Sequence, residues 1–177
     1  MEFTIKSGCG TSIEDFYKMV ELDKKVFGED VITNIGFAEG RYKKNSECFI
    51  AAYDGEEFAG GMMAFPITDS LASRMRSLQE LIDDDISPED VLPFAKEEGH
   101  NIFILDIVVD EKYRRTMLSV MIMNQFKEIL KEKQKNGFNI KTILGFAVSK
   151  GGLMIAQRMF ETKIIGSIED VVLVEMK

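Results

Sequence analysis

The sequence predicts an α/β fold, and three observations carry that prediction. Two apolar runs at 48–53 and 57–67 flank Asp54-Gly55. A nearly continuous apolar run at 102–109 holds one charge, Asp106, and a helical pattern from Leu118 leads from it to a further apolar run at 140–148. Glycine adopts the positive φ that a tight hairpin turn needs, so the first pair reads as antiparallel strands. A run that is apolar on both parities is the profile of a strand covered on both faces, which calls for helices on either side of a sheet.

The remaining elements follow in order. Residues 2–6 alternate as a short strand. Thr11 and Glu14 have capping-box spacing, and Ile13, Phe16, Tyr17 and Val20 recur at helical spacing, which predicts an amphipathic helix to about Val26. A weaker helix is expected from the low thirties to about Tyr42. Residues 69–100 read as a helical insert: Leu71, Met75, Leu78 and Ile82 share a helical face, and Asp83, Asp84 and Asp85 precede Pro88 and Pro93. In the long helix, Leu118, Ile122, Phe126 and Ile129 form the stripe expected to be buried. Lys131, Lys133 and Lys135 suit the negative end of its dipole, and Gly137 ends it. A strand at 140–148, a shorter helix at 153–160 and a last strand at 171–175 complete the chain. No repeat or low-complexity stretch interrupts it, so residues 1–177 read as one domain, of a size that one core supports.

Composition narrows the function. A formal net charge of -8 and a pI near 4.8 oppose nucleic-acid binding, which needs clustered Lys and Arg. No apolar run approaches the roughly 20 residues that cross a bilayer, and Met1-Glu2-Phe3-Thr4-Ile5-Lys6 has no apolar signal core. A soluble, cytoplasmic protein without nucleic-acid or membrane partners is therefore expected. Cys9 and Cys48 lack metal-ligand spacing, so reduced thiols and no metal are expected. The single histidine, His100, reads as the end of a loop, with no catalytic role.

The most informative stretch runs from Leu105 to Ser119, where a buried strand passes through a basic turn into a helix. The first turn of a helix leaves backbone N–H groups unpaired in a region of positive potential, a seat for pyrophosphate. Arg114 and Arg115 stand at that helix start, where the dipole disfavours cations, and so call for an external anion. The alternative is a pair of solvated surface arginines.

This stretch resembles motif A of the GNAT N-acetyltransferases, whose strand ends in an apolar-x-Val-x-Pro-x-Tyr-Arg pattern followed by a Gln/Arg-x-x-Gly-x-Gly/Ala loop. Val109 matches the strand valine, Tyr113-Arg114 the Tyr-Arg pair, and Arg114, Arg115, Thr116, Met117, Leu118 and Ser119 the pyrophosphate loop. The resemblance implies a mixed, mostly antiparallel sheet that opens between the strands at 102 and 140. It also implies acetyl-CoA as cosubstrate, with the pantetheine arm held by backbone groups of Ile107, Val108 and Val109. Met117 and Ser119 depart from the family's glycines. A side chain at 117 is expected to crowd the phosphates or to cost about 1–2 kcal/mol of left-handed strain, roughly ten-fold in affinity; the alternative puts Met117 in the core. The segment 153–164 resembles the family's second motif with Ala156 kept, Leu153 in the Asn slot, Met159-Phe160 for Leu-Tyr and Lys163-Ile164 for Gly-Phe. Phe160 cannot give a proton to the departing thiolate, as the family's tyrosine does.

Asp106 is the candidate catalytic base. An amine of pKa near 10 must lose a proton before it attacks a thioester, and a carboxylate in an apolar strand has its pKa raised toward the working range. The run at 105–109 also resembles the acidic strand of amino-sugar N-acetyltransferases; the alternative for Asp106 is a structural carboxylate. The acidic insert either walls the acceptor site or is a solvated surface. The expected reaction is direct transfer of acetyl from acetyl-CoA to a primary amine of a small molecule or peptide. Two other readings stay open: a degenerate module of this fold that binds CoA or a partner without catalysis, and an interaction protein that uses the acidic insert. Oligomeric state is open, a homodimer included.

Overall fold

The computed structural model describes residues 2–82 and 85–177. Seven strands form one sheet: β1 (Phe3–Ser7), β2 (Ile50–Asp54), β3 (Glu57–Ile67), β4 (Gly99–Val109), β5 (Asn139–Ala147), β6 (Thr162–Ile168) and β7 (Val171–Met176). They lie in the order β1-β2-β3-β4-β5-β7-β6. Every neighbouring pair is antiparallel except β4 and β5. Helices α1 (Ile13–Phe27), α2 (Ile35–Lys44) and α3 (Asp69–Ser77) cover one face, and α4 (Leu118–Lys135) and α5 (Lys150–Met159) the other. The parallel pair needs a crossover, and α4 supplies it.

Local chemistry sets the helix ends. The capping box of α1 lies one residue later than expected: Ser12 accepts from the Asp15 amide, and the Asp15 carboxylate accepts from the Ser12 amide at 2.7 Å. Thr11 instead donates its hydroxyl to the Gly8 carbonyl at 2.6 Å. The insert helix stops at Ser77, short of the expected Ile82, because Leu78 takes a left-handed φ of 54°. Ile82 and Ile86 then turn back into the core beneath α1 and α2. In α4 the buried stripe is Leu118, Ile122, Met123, Phe126 and Leu130, with Ile129 only half-buried.

Two expectations need correction. Residues 162–168 form the edge strand β6, paired to β7, where no strand was expected; its half-exposed pattern around Gly166 carries little periodic signal. His100 is not a loop end. It is the second residue of β4, 1% exposed, its Nε2 within 3.0 Å of the Ala95 amide nitrogen and 2.8 Å of the Ala95 carbonyl oxygen.

The β4 strand carries the feature that positions the site. Met63 pairs with Asp106 but Ala64 with Ile104, so Leu105 is an extra, bulged residue. Pairing of β4 with β5 ends at Ile104 with Gly145, at the same point. Beyond it the two strands part.

The β3–β4 contact is tight as well. A Cβ on Gly60 would stand 2.6 Å from the Val108 carbonyl oxygen, whereas one on Gly10 would meet nothing within 4 Å. Gly60→Ala is therefore expected to lower stability in urea unfolding by about 1–3 kcal/mol, with Gly10→Ala as the near-neutral control.

Candidate functional site

Where β4 and β5 separate, a cavity of about 510 Å³ runs through the sheet, from Phe16 and Met19 of α1 on one side to Met123 of α4 and Ala156 of α5 on the other. Past Ile104 the β5-facing edge of β4 has no strand partner. Its amides and carbonyls are thus available to a ligand, as unpaired backbone groups must be satisfied by something. Ile107, Val108 and Val109 lie on this free edge, and Ile107 also lines the cavity.

The bulge decides which way Asp106 points. Phe103 and Val108 pack in the core under α1, while Ile102, Ile104 and Ile107 pack on the α4 side. Strict alternation from Ile102 and Ile104 would send Asp106 to the α4 side too. One extra residue at Leu105 reverses the parity and turns the carboxyl toward α1. There it meets Asp23, and the two carboxyls are hydrogen-bonded to each other. Carboxylate oxygens only accept, so such a bond requires a proton on one of them. Burial in the apolar wall pushes the Asp106 carboxyl up, against the lowering effects of the Asp23 hydrogen bond and the Ile107 amide. Asp23, Asp106 and Arg41 are the charged side chains among the described residues that line the cavity. Arg41 is fully buried and donates from Nη1 to the Ile86 carbonyl at 2.8 Å.

The turn before α4 is held from within. Tyr113 is buried, its ring edge-on to Phe3 at 5.5 Å and its hydroxyl donating to Asp54 at 3.2 Å. Asp110 accepts from the Lys112 amide at 3.0 Å and pairs with Lys25 at 2.7 Å, tying the end of α1 to the end of β4. Those two donors hold the Asp110 carboxyl below its usual range. Arg114 and Arg115 are exposed and form no ion pair among the described residues.

The residues expected in the pyrophosphate loop diverge in their surroundings. Met117 takes φ -83° and ψ 9°, so no left-handed strain exists, and its side chain is 64% exposed rather than in the core. No side chain caps α4 at its N-cap residue. The Leu118 side chain is buried, and its amide donates to the Thr116 hydroxyl at 3.2 Å, so that amide is already engaged; Ser119 lies in the open first turn. Phe160 sits half-buried against Phe126, ring centroids 6.3 Å apart, with the Lys127 ammonium 5.2 Å from its ring.

Three site residues escaped the sequence reading, Arg41 of α2 among them. Asp23 continues the Phe16, Met19, Val20 face of α1, so a carboxylate on an apolar stripe was the available signal. Ser149 caps α5 by accepting from Gly152 at 3.1 Å and is the one hydroxyl among the described cavity-lining residues. Of the acidic insert, Asp83 and Asp84 lie outside the described residues; Asp85, Glu89, Glu97 and Glu98 are exposed and do not line the cavity, which the insert meets through Leu81.

Comparison with known proteins gives a consistent picture. The model of the acetyltransferase (GNAT) family matches residues 13–162. No curated protein sequence matches the chain. Among solved structures, Arabidopsis thaliana Naa50 in complex with the bisubstrate analogue CoA-Ac-MVNAL superposes with a TM-score of 0.65 at 12% identity, over 100% of this chain and 99% of that one. PaiA N-acetyltransferase from Thermoplasma acidophilum, in complex with coenzyme A, gives 0.57 at 12% identity over 100% and 99%. The loading GNATL domain of CurA from Lyngbya majuscula gives 0.65 at 12% identity over 100% and 98%. At such identities the likeness is one of fold.

The raised Asp106 carboxyl makes a prediction for stability. The native chain holds a proton that the unfolded chain releases near pH 4, so stability falls as pH rises from there through the folded-state value. Asp106→Asn is expected to be more stable than wild type at neutral pH, with the gain vanishing below about pH 4. Urea unfolding at stepped pH measures it.

Proposed function

The chain belongs to the acetyltransferase (GNAT) family, and from that premise we propose that it transfers acetyl from acetyl-CoA directly to a primary amine. The single observation that carries this reading is the parted β4 and β5, with a carboxyl turned into the gap. Acetyl-CoA, when bound, supplies the thioester carbonyl. The free edge at Ile107, Val108 and Val109 offers backbone partners to a pantetheine arm lying in place of a strand. The uncapped first turn of α4, with Arg114 and Arg115 unengaged beside it, offers N–H groups and cations to a diphosphate. In an acidic chain this is the stretch suited to that anion.

Asp106, sharing one proton with Asp23, forms the pair whose ionised member accepts the proton that an ammonium must lose. The thiol is a leaving group of moderate pKa and needs less help, so the lack of a proton donor at Phe160 is tolerable. The Ser149 hydroxyl at the cavity wall is the group suited to assist it.

A second reading, a CoA-binding module without turnover, is favoured by the packing of Phe160 against Phe126 and by the missing glycines of the loop. Turnover separates the two, because both require CoA to bind.

Calorimetry with acetyl-CoA is expected to show saturable binding, weakened roughly ten-fold by Arg114→Ala and again by Arg115→Ala, and less sensitive to salt in each. Asp106→Asn is expected to lower kcat/KM by about 10² to 10⁴ while leaving acetyl-CoA affinity unchanged; Ser149→Ala should cost less. Absence of saturable binding at millimolar acetyl-CoA would remove the transferase reading altogether.

A further inference from the structure

The α1 side of the cavity describes the acceptor. Its walls are Phe16, Phe27, Val31 and Ile32, with Leu81 reaching over from the insert. Phe27 and Leu81 are 47% and 41% exposed, so the rim as well as the wall is apolar. Against this surface stand two carboxyls joined by one hydrogen bond, and a guanidinium, Arg41, engaged with the Ile86 carbonyl. A carboxyl pair sharing one proton presents one negative charge, enough to seat one ammonium. A second ammonium would lie against the apolar side chains of Phe27 and Leu81, and within reach of the Arg41 field. On this side the backbone of a peptide would lie against Phe16, Phe27, Val31, Ile32 and Leu81, whose side chains offer it no hydrogen-bond partner. Methylene and aryl groups lose nothing there and gain by leaving water.

We propose that the acceptor is a primary monoamine with an apolar body, of alkyl or arylalkyl type, its nitrogen seated on the Asp23–Asp106 pair and its body against Phe16, Phe27, Ile32 and Leu81. This rests on the acetyl-transfer reading above and narrows it. The ionised member of the pair takes one proton from the ammonium, and the neutral nitrogen forms its bond to the acetyl carbon. As the carbon–sulfur bond breaks, the sulfur takes the electron pair and the second proton leaving nitrogen. The carboxyl pair then returns its extra proton to solvent, so one ammonium and one thioester give one amide, one thiol and one proton.

The test is thiol release by the full chain at saturating acetyl-CoA, across n-alkylamines of two to six carbons, phenylethylamine, spermidine and a short peptide with a free N-terminus. The expected result is a rise in kcat/KM of about three- to four-fold per methylene, with phenylethylamine at least about ten-fold above spermidine and the peptide. Phe27→Glu, at an exposed position, should reverse the order of hexylamine and spermidine. Calorimetric titration of the same amines into the CoA-loaded protein reads the seat without turnover. Binding in the expected order with no thiol release would sink the transferase reading and leave this one standing. A flat or inverted chain-length series, or a preference for spermidine or peptide in either assay, would overturn it, as would failure of every amine to bind.

Discussion

One extra residue in β4 governs the rest of the molecule. Leu105 has no partner of its own on β3, and by occupying a place in the strand it shifts the parity of everything after it. The strand bends at the same point, and its pairing with β5 stops there. Without the bulge, Asp106 would share the α4 face with Ile102 and Ile104. With it, the carboxyl faces α1, Ile107 returns to the α4 core and Val108 to the α1 core. Both the opening in the sheet and the acid within it follow from the same local irregularity.

The opening would be a liability if nothing supported it, since a parted sheet exposes backbone groups and apolar side chains together. The surrounding elements hold it apart. Helix α1 lays its apolar face along one side, and the Lys25–Asp110 pair at 2.7 Å ties its C-terminal end to the end of β4. Tyr113, buried and edge-on to Phe3, anchors the turn that follows. On the far side Met123 of α4 and Ala156 of α5 leave room where bulkier side chains would fill the gap. The cavity therefore joins two halves, an apolar one with a carboxyl pair on the α1 side and one lined by Met123 and Ala156 on the side of α4 and α5. A reaction between an amine and a thioester needs both halves within reach of one point.

The turn into α4 shows how such a helix start can be built without glycine. A left-handed residue would favour glycine, but Met117 adopts a right-handed geometry and sends its side chain to solvent. Thr116 closes the turn by donating to the Tyr113 carbonyl at 2.7 Å and accepting the Leu118 amide. The substitution that looked most damaging thus leaves the backbone unstrained. The one at Phe160 is of another kind: its ring is part of the packing of α4 against α5, and the Thr162 hydroxyl at that helix end is donated to the Ala156 carbonyl at 2.9 Å.

What the sequence determined by itself was whatever depends on neighbours along the chain. The hairpin at Asp54-Gly55, the strand at β4, the long helix ended by Gly137 and the basic turn at Arg114 and Arg115 were legible because turn propensity, periodicity and helix polarity are local properties. The tertiary structure alone decided what depends on partners far away in sequence. The half-exposed edge strand β6 gains its regularity only from pairing with β7. The burial of His100 comes from Phe94 and Ala95 folding back on it. The pairing of Asp106 with Asp23 follows from a bulge whose position depends on register with β3, and register is a relation between two strands that neither strand's residues contain.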